Sequence, residues 1–387
     1  MSEARYKVTH TDYSTAVTTD ITEAIDVSTR EGIETTIDSF SIRISERGLG
    51  ALVIDTDDVI KIYLGRGRAA PTTLIMDGVV NSIKYNVDFK GKTYTIGGVN
   101  KLEHIMNNVI PAAYSSTSGG PDGDGWTASQ IITELINRVN DFNTGLKDSW
   151  TNIGTGEITA TTTKTDYYDI EKSVFQHIET LSTNEYTKNG DYIYYLDTSN
   201  NFVWKARPDD ADGSETATIE EGVDAISIKL EKGIFNIINA LIINCGVDLN
   251  GRKITAYAIR ADSIGRHGFK WKYIGKTGFA TNYIAANPSA TNQEVRTNAR
   301  NNAKSWALDV LEKLGAARYK AVIEVRGGSY TKGDAYKIQM RDYTFNTGNK
   351  YYNLRLLNIR HNYSSKEGWI TTLEFEEDED TALANLT

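Results

Sequence analysis

Histidine and cysteine are the side chains of this sequence that most readily bind metal ions or transfer protons near neutral pH. The five histidines are His10, His104, His177, His267 and His361. No two of them stand at the short spacing that places two imidazoles on one zinc ion. The single cysteine, Cys245, excludes an intrachain disulfide and a cysteine-based metal site, and its apolar neighbours indicate a buried thiol. We therefore expect no metal centre and no cofactor.

Three loops resemble ligand-binding motifs only in part. Residues 275–277 (Gly-Lys-Thr) end like a phosphate-binding loop, but Lys270 stands where the upstream glycine belongs. Residues 122–125 (Asp-Gly-Asp-Gly) and 210–213 (Asp-Ala-Asp-Gly) resemble calcium-binding loops. A twelve-residue calcium loop has glycine at its sixth position and glutamate at its twelfth. When the last glycine of either segment is placed at the sixth position, the twelfth position holds no glutamate. We interpret all three as turns.

Catalytic motifs do not stand out either. The nucleophile elbow Gly-x-Ser-x-Gly is missing from the sequence. A carboxylate pair for glycoside hydrolysis is assembled in space, so the sequence neither indicates nor excludes one. We therefore expect that the protein is not an enzyme.

The charge balance and residue usage favour a β-rich structural protein. Lys and Arg number 42 against 51 Asp and Glu, a net charge of −9, which argues against a dedicated nucleic-acid binder but allows a local basic patch. The 22 tyrosines and 32 glycines favour strands, turns and protein interfaces.

The N-terminus lacks an apolar signal core, and the apolar run Ile234–Cys245 is too short and too polar to span a bilayer. We expect assembly in a cytoplasm.

Apolar residues that alternate with polar ones predict a first antiparallel β-domain over residues 30–98. Phe40, Ile42 and Ile44 show the period of two of a half-buried strand. Further strand-like runs follow at short spacing, each bounded by Gly, Asp or Asn: Val59–Leu64, Thr73–Met76, Val79–Tyr85 and Lys92–Ile96. Residues 1–29 are rich in Thr, Ser and Asp, and we predict an extended or partly disordered N-terminal arm there.

The middle section, residues 99–222, is predicted to mix helices with a hairpin. The capping box Thr127–Gln130 precedes apolar residues at the 3.6-residue period of a helix. Asp169 is predicted to cap a second helix that ends near Leu181. The runs Tyr192–Leu196 and Asn201–Arg207 predict a hairpin, and an acidic linker follows.

A second β-unit is predicted over residues 223–260 plus 315–387. It is interrupted near Arg260 by a Gly-rich aromatic loop and a long helix, Val295–Leu314, which the capping box Thr291–Glu294 introduces. Strand-like alternation resumes at Tyr319. A helix of this length cannot lie inside a small barrel, so we expect residues 261–314 to leave this unit and pack with the middle section.

The order of these features resembles one known family. The segments that carry the resemblance are Ile254–Ile274 with Asp262-Ser263-Ile264-Gly265, the Ala-bearing helix Val295–Leu314, Tyr330–Asp334, Ile359–Tyr363 and Trp369–Leu373, with Phe40–Leu64, Thr73–Ile96 and Ser173–Arg207 in the front half. Together they resemble the hub proteins of tailed-phage baseplates and tail tips. These form the late control D-like family, which also occurs in contractile injection systems.

This resemblance implies a fold and an assembly. The fold would consist of two tail-tube-like antiparallel β-barrels joined by a mixed α/β middle domain. Three copies would form a ring that adapts a six-fold tail tube to a three-fold spike or tip. The implied partners are the tail tube protein, the spike or tip protein and the tape-measure protein. DNA would pass through the channel without specific binding, within the virion tail. The net charge of −9 predicts that the channel face is neutral to acidic.

Two other functions remain open from the sequence. One is a carbohydrate-binding or carbohydrate-cleaving β-protein of the same particle that uses aromatic rings as stacking platforms. The other is an ordinary host β-enzyme. The tryptophans discriminate between a hub and a sugar binder, because a sugar binder should expose several of them in one groove. Trp126, Trp271 and Trp306 stand beside capping or core-like residues, so we expect most of the tryptophans to be buried.

Overall fold

The computed structural model divides the chain into two compact units. It describes residues 4–21, 23–33, 37–66, 70–88, 91–103, 108–142, 153–187, 192–207, 217–233, 237–275, 278–314, 318–340, 351–364 and 367–377. Unit 1 comprises Met1–Lys229 and Ala321–Phe375, and unit 2 comprises Leu230–Lys320 and Glu376–Thr387. The protein is mainly β, as predicted.

The strands, in chain order, are β1 (Ala4–Thr11), β2 (Thr18–Ile21), β3 (Ala24–Gly32), β4 (Ser39–Ser45), β5 (Val59–Arg66), β6 (Thr73–Asp88), β7 (Gly91–Asn100), β8 (Ala112–Tyr114), β9 (Tyr167–Asp169), β10 (Tyr192–Leu196), β11 (Phe202–Ala206), β12 (Ala217–Glu220), β13 (Ala225–Gly233), β14 (Ala240–Val247), β15 (Lys253–Ile259), β16 (Trp271–Gly275), β17 (Arg318–Val325), β18 (Ala335–Gln339), β19 (Tyr351–Ser364) and β20 (Gly368–Glu376). The helices are α1 (Glu46–Leu49), α2 (Ala128–Phe142), α3 (Val174–Leu181), α4 (Asn184–Thr187), α5 (Ala261–His267), α6 (Gly278–Ala286) and α7 (Asn292–Leu314). Among the residues described, no helix combines the length and the hydropathy needed to cross a bilayer.

A 13-stranded, mostly antiparallel sheet dominates the fold, in the order β13-β17-β20-β19-β3-β4-β7-β6-β5-β1-β2, with β18 on β19 and β12 on β18. The strands that the sequence analysis assigned to two separate barrels are thus neighbours in a single open sheet. The connection is β19, whose end pairs with β3 so that His361 faces Thr29 and Tyr363 faces Val27. No sheet in the described parts of the chain closes into a barrel, so the two-barrel architecture is not confirmed.

The alternation read from the sequence corresponds to one buried face in this sheet. Phe40, Ile42 and Ile44 of β4 are buried with core residues of β1, β3 and β5 to β7.

Val8 and Val27 belong to the same core, although both lie in the segment predicted to be an arm. That segment instead supplies β1, β2 and most of β3. Its few apolar side chains fall on the buried face, and its threonines are compatible with strands.

The middle section has its own apolar core, built by α2, α3, the two-stranded sheet β8–β9 and the hairpin β10–β11. The predicted capping box of α2 is present, because Gln130 Oε1 accepts from Thr127 N at 2.9 Å and Thr127 Oγ1 accepts from Gln130 N at 3.3 Å. The predicted cap of α3 was wrong. Ser173 caps this helix in a capping box with Gln176, and Asp169 binds the backbone N–H of Glu171 instead.

Unit 2 contains a three-stranded sheet covered on one face by α7. Strand β14 pairs antiparallel with β15 and parallel with β16. Ala299, Ala303 and Ala307 of α7 are fully buried in the core shared with these strands, and such small side chains let a helix approach a sheet closely. The second barrel was predicted over residues 223–260 plus 315–387, with 261–314 packed against the middle section. This prediction is corrected for the part that lies in unit 2, because β14 and β15 share a core with α6 and α7. The apolar face of β14 and β15 is covered by the long helix that follows it in the chain.

Candidate functional site

The histidines that could have served catalysis are held in structural contacts. His10 Nε2 lies 2.7 Å from Asp58 Oδ2. His177 Nδ1 lies 2.7 Å from the Tyr167 hydroxyl, and its Nε2 lies 2.9 Å from the carbonyl oxygen of Ile110. Burial lowers the pKa of His177. In the described ranges, no group of three or more His, Cys, Asp or Glu side chains is placed to hold a metal ion.

The ligand-like loops are occupied by other contacts or lie outside the described residues. Lys164 Nζ donates to Asp124 Oδ1 at 2.9 Å and to the carbonyl of Gly125 at 3.0 Å. The hydrogen bond from Lys164 lowers the pKa of Asp124. Residues 210–213, 276–277 and His104 lie outside the described residues. Burial raises the pKa of the Cys245 thiol, which makes it a poor nucleophile.

A buried group of ionisable and polar side chains lies in unit 1, where the C-terminal strands meet the first ones. We call Glu31, Asp38, Asn100 and Lys332 the charge cluster. Lys332 Nζ lies 2.6 Å from Asp38 Oδ2 and 3.9 Å from Glu31 Oε2. Asp38 also accepts from Asn100 Nδ2 at 2.8 Å and from the Gly32 backbone N–H at 2.9 Å. The cluster joins the ends of β3, β4 and β7 to the turn before β18.

The turn that carries Lys332 is fixed by its glycine. Gly333 has φ +82, a conformation that residues with a side chain rarely adopt. A Cβ at this position would come within 2.2 Å of Ile193 Cδ1. Asp334 of the same turn accepts from Lys205 Nζ at 2.8 Å. The sequence indicated the turn but not the cluster, because Lys332 and Asp38 are separated by 294 residues.

Burial and hydrogen bonding together decide which groups of the cluster are charged. Asp38 receives three donors, so it is the carboxylate that balances Lys332, although burial raises its pKa. Glu31 lies farther from Lys332, and burial raises its pKa to about 8. Next to it, burial lowers the pKa of His361 to about 3. His361 Nδ1 accepts from Trp369 Nε1 at 3.1 Å and lies 2.9 Å from Thr371 Oγ1, as expected for a neutral imidazole.

Glu31 should give the protein a pH dependence that Glu31→Gln reduces. The folded state holds a proton on Glu31 between the ordinary pKa of 4.5 and the folded pKa of about 8, where the unfolded state has released it. This contribution to stability is fully present below the unfolded pKa and is lost as the pH rises through the folded pKa. His361 acts in the opposite direction, but only below its ordinary pKa of 6.5. From about pH 6.5 to 8, therefore, His361 no longer opposes the effect of Glu31.

The measurement is the urea midpoint of unfolding across that pH window. We expect the midpoint of the wild type to fall as the pH rises, and that of Glu31→Gln to fall less. Glu179→Gln, an exposed control on α3, should follow the wild type. Parallel curves for Glu31→Gln and the wild type would show that Glu31 does not retain its proton.

The second feature is an exposed face on the three-stranded sheet of unit 2. Tyr257 and Tyr273 lie in one row on either side of Ile242, and Ile259 and Trp271 flank Ala240 in the next row. These outward side chains are largely exposed: Tyr257 64%, Ile259 55%, Trp271 59% and Tyr273 54%. We call these four residues, together with the exposed Phe269 beside them, the aromatic face.

The aromatic face contains an exception to the expectation that most of the tryptophans are buried. Trp271 occupies an outward position of β16, and Ile274 fills an inward position of the same strand. Trp204 and Trp369 are buried, and Trp126 and Trp306 are partly buried. Among the described tryptophans, only Trp271 is mostly exposed, on a sheet face that also presents two tyrosines.

Comparison with known proteins identifies the fold. No protein-family model matches the sequence, and no curated protein matches it. Among solved structures, a tail protein from Neisseria meningitidis MC58 aligns with TM-score 0.60 and 12% identity over 98% of this chain and 99% of that one. The 43 kDa tail protein of prophage MuSo2 from Shewanella oneidensis aligns with TM-score 0.58 and 12% identity over 99% and 98%. The prophage tail protein gp18 from Listeria monocytogenes EGD-e aligns with TM-score 0.52 and 10% identity over 98% and 97%.

These alignments cover nearly the whole chain in both directions. At such low identity they establish a shared fold. The resemblance to phage tail proteins that the sequence predicted is therefore confirmed at the level of the fold.

Proposed function

We propose that this chain is a structural hub subunit of a phage tail baseplate or tail tip. The observation that carries the proposal is the end-to-end similarity of its fold to phage tail proteins, with TM-scores of 0.60 and 0.58. The buried histidines and the lysine-bound carboxylate of the 122–125 loop support a structural rather than a catalytic role. Three copies would form a ring that adapts a six-fold tail tube to a three-fold spike or tip.

The sheet supports such an assembly through its edges. Within the described residues the path of the large sheet ends at β13 and β2, each of which has a strand on one side only. Unpaired edges are satisfied when another chain pairs with them, and identical chains do this around a symmetry axis. A six-to-three adaptor also needs two tube-like segments per chain. Strands β1 to β7 and β17 to β20 are the candidates, joined through β19 and β3.

The proposed partners follow from this role. The tail tube protein would bind one side of the ring and the spike or tip protein the other, with the tape-measure protein as a further partner. DNA would pass through the channel without specific binding, as the net charge of −9 favours. The protein would belong to the virion tail and would be assembled in the host cytoplasm.

The alternative was a carbohydrate-binding or carbohydrate-cleaving protein of the same particle. That function called for several tryptophans exposed in one groove. The described residues show one, Trp271, on an open sheet face with tyrosines and an isoleucine. Aromatic and aliphatic side chains together are typical of the centre of a protein interface, so we assign this face to protein contact.

The proposal is tested by the mass of the assembly in solution. We expect light scattering at micromolar concentration to give the mass of three chains, for the protein alone or after the neighbouring tail tube or spike protein is added. A single chain under all these conditions would contradict the hub function.

A further inference from the structure

Charge is strongly segregated along this chain. Residues 230–320 contain 14 Lys and Arg against 6 Asp and Glu, a net charge of +8. The remainder contains 28 against 45, a net charge of −17, and the two together give the −9 of the whole chain. The basic stretch is the part of unit 2 that carries the aromatic face, whereas the other part of unit 2, residues 376–387, contains five Asp and Glu and no Lys or Arg. Such a separation produces opposite potentials on different surfaces of the same molecule.

The aromatic face has the composition of a protein interface. Its centre consists of the rows Tyr257–Ile242–Tyr273 and Ile259–Ala240–Trp271, which contain no charged side chain. Exposed lysines stand at the ends of the strands that carry this centre: Lys253 at the start of β15 and Lys270 before β16. An apolar, aromatic centre inside a charged rim is the arrangement in which Trp and Tyr contribute most to protein binding.

We propose that the aromatic face binds the acidic surface of unit 1 in a second copy of this chain. The proposal rests on the proposed ring and names the surface through which neighbouring subunits recognise each other. A two-fold contact of the face with itself would bring basic rims together, which like charges oppose. A head-to-tail contact places the +8 stretch of one copy against unit 1 of the next, which contains 28 Lys and Arg against 40 Asp and Glu, a net charge of −12. Contacts of this kind form rings when the rotation between neighbouring subunits closes, as the proposed three-chain ring requires.

Single-stranded nucleic acid is the competing occupant, because bases also stack on aromatic side chains. Two observations favour protein. The centre is not a purely aromatic stacking surface, because Ile259 and the half-buried Ile242 lie among the rings, and its two rows contain no cation to meet a phosphate. The remaining −17 of the chain also repels a polyanion.

The test compares Trp271→Ser/Tyr273→Ser with the wild type by sedimentation, under the solution condition in which the wild type assembles. Both side chains point outward, so the variant should unfold at nearly the same temperature as the wild type. Tyr168→Ser, which removes a tyrosine that is 74% exposed in unit 1, is the matched control. We expect the control to assemble like the wild type and the double variant to need at least about tenfold more protein, as for loss of an aromatic interface centre.

A charge-reversal variant tests the proposal independently. Lys253→Glu/Lys270→Glu should weaken assembly strongly at about 0.05 M salt and less at about 0.5 M, because salt screens the charges of the rim.

If the wild type forms the three-chain species and both double variants do so equally well, this surface is not the contact, and the hub proposal stands. A wild type that remains a single chain overturns both proposals. Binding of fluorescent single-stranded DNA that the Trp271→Ser/Tyr273→Ser variant loses assigns the face to nucleic acid instead.

Discussion

Replacing Lys332 with methionine is expected to lower the free energy of unfolding by about 3–5 kcal/mol, because it leaves a buried carboxylate without its cation. Lys332 is 4% exposed, and its Nζ lies 2.6 Å from Asp38 Oδ2. It also lies over the ring of Tyr195, with Nζ 5.2 Å from the centroid. The measurement is urea unfolding at pH 7, followed by tryptophan fluorescence.

Two further variants show that charge rather than packing produces this loss. Adding Asp38→Asn to Lys332→Met should recover part of the stability, since the unpaired charge is removed while the acceptor for Gly32 N–H remains. Lys92→Met removes an exposed ion pair with Glu46 and should change stability far less. If Lys332→Met behaved like Lys92→Met, the cluster would not hold the strands together.

Trp204→Ala is expected to destabilise the middle section by about 3–5 kcal/mol, the range for removing a fully buried tryptophan. The indole is 0% exposed, and its Nε1 donates to Ser182 Oγ at 2.7 Å. The ring centroid lies 4.0 Å from that of Tyr192. The alanine variant therefore leaves a cavity and removes the donor to the Ser182 hydroxyl, which keeps its own hydrogen bond to the Ile178 carbonyl at 2.7 Å. The loss is measured by urea unfolding, with far-UV circular dichroism as the signal.

Trp271→Ala is the matched control for this experiment. It removes the same side chain from an outward position of β16, where the ring is 59% exposed. Its effect on the stability of the single chain should stay within about 0.5 kcal/mol, as is usual for surface substitutions. Equal losses at Trp204 and Trp271 would mean that the burial of the two rings is not as described.

Local features of the fold could be read from the sequence because they depend on neighbours along the chain. The alternation in Trp369–Phe375 gave the buried face of β20, and the Thr291–Glu294 capping box gave the start of α7. In both cases the signal lies within a few residues. The same reasoning located the hairpin β10–β11.

The partners of these elements could not be predicted in this way. A period of two shows that a strand has a buried face, but it does not name the strand beside it. The pairing of β19 with β3 joins residues near both ends of the sequence, and the charge cluster does the same. The exposure of Trp271 also escaped prediction, because alternation alone does not tell which of the two faces of β16 the helix covers.

Electron microscopy of the purified chain, alone and with the tail tube protein, tests the central claim most directly. The hub function predicts ring-shaped particles with a central channel, whose averaged end-on views show three-fold symmetry. Single, unassociated particles in both samples, or assemblies without a channel and a three-fold axis, would contradict it.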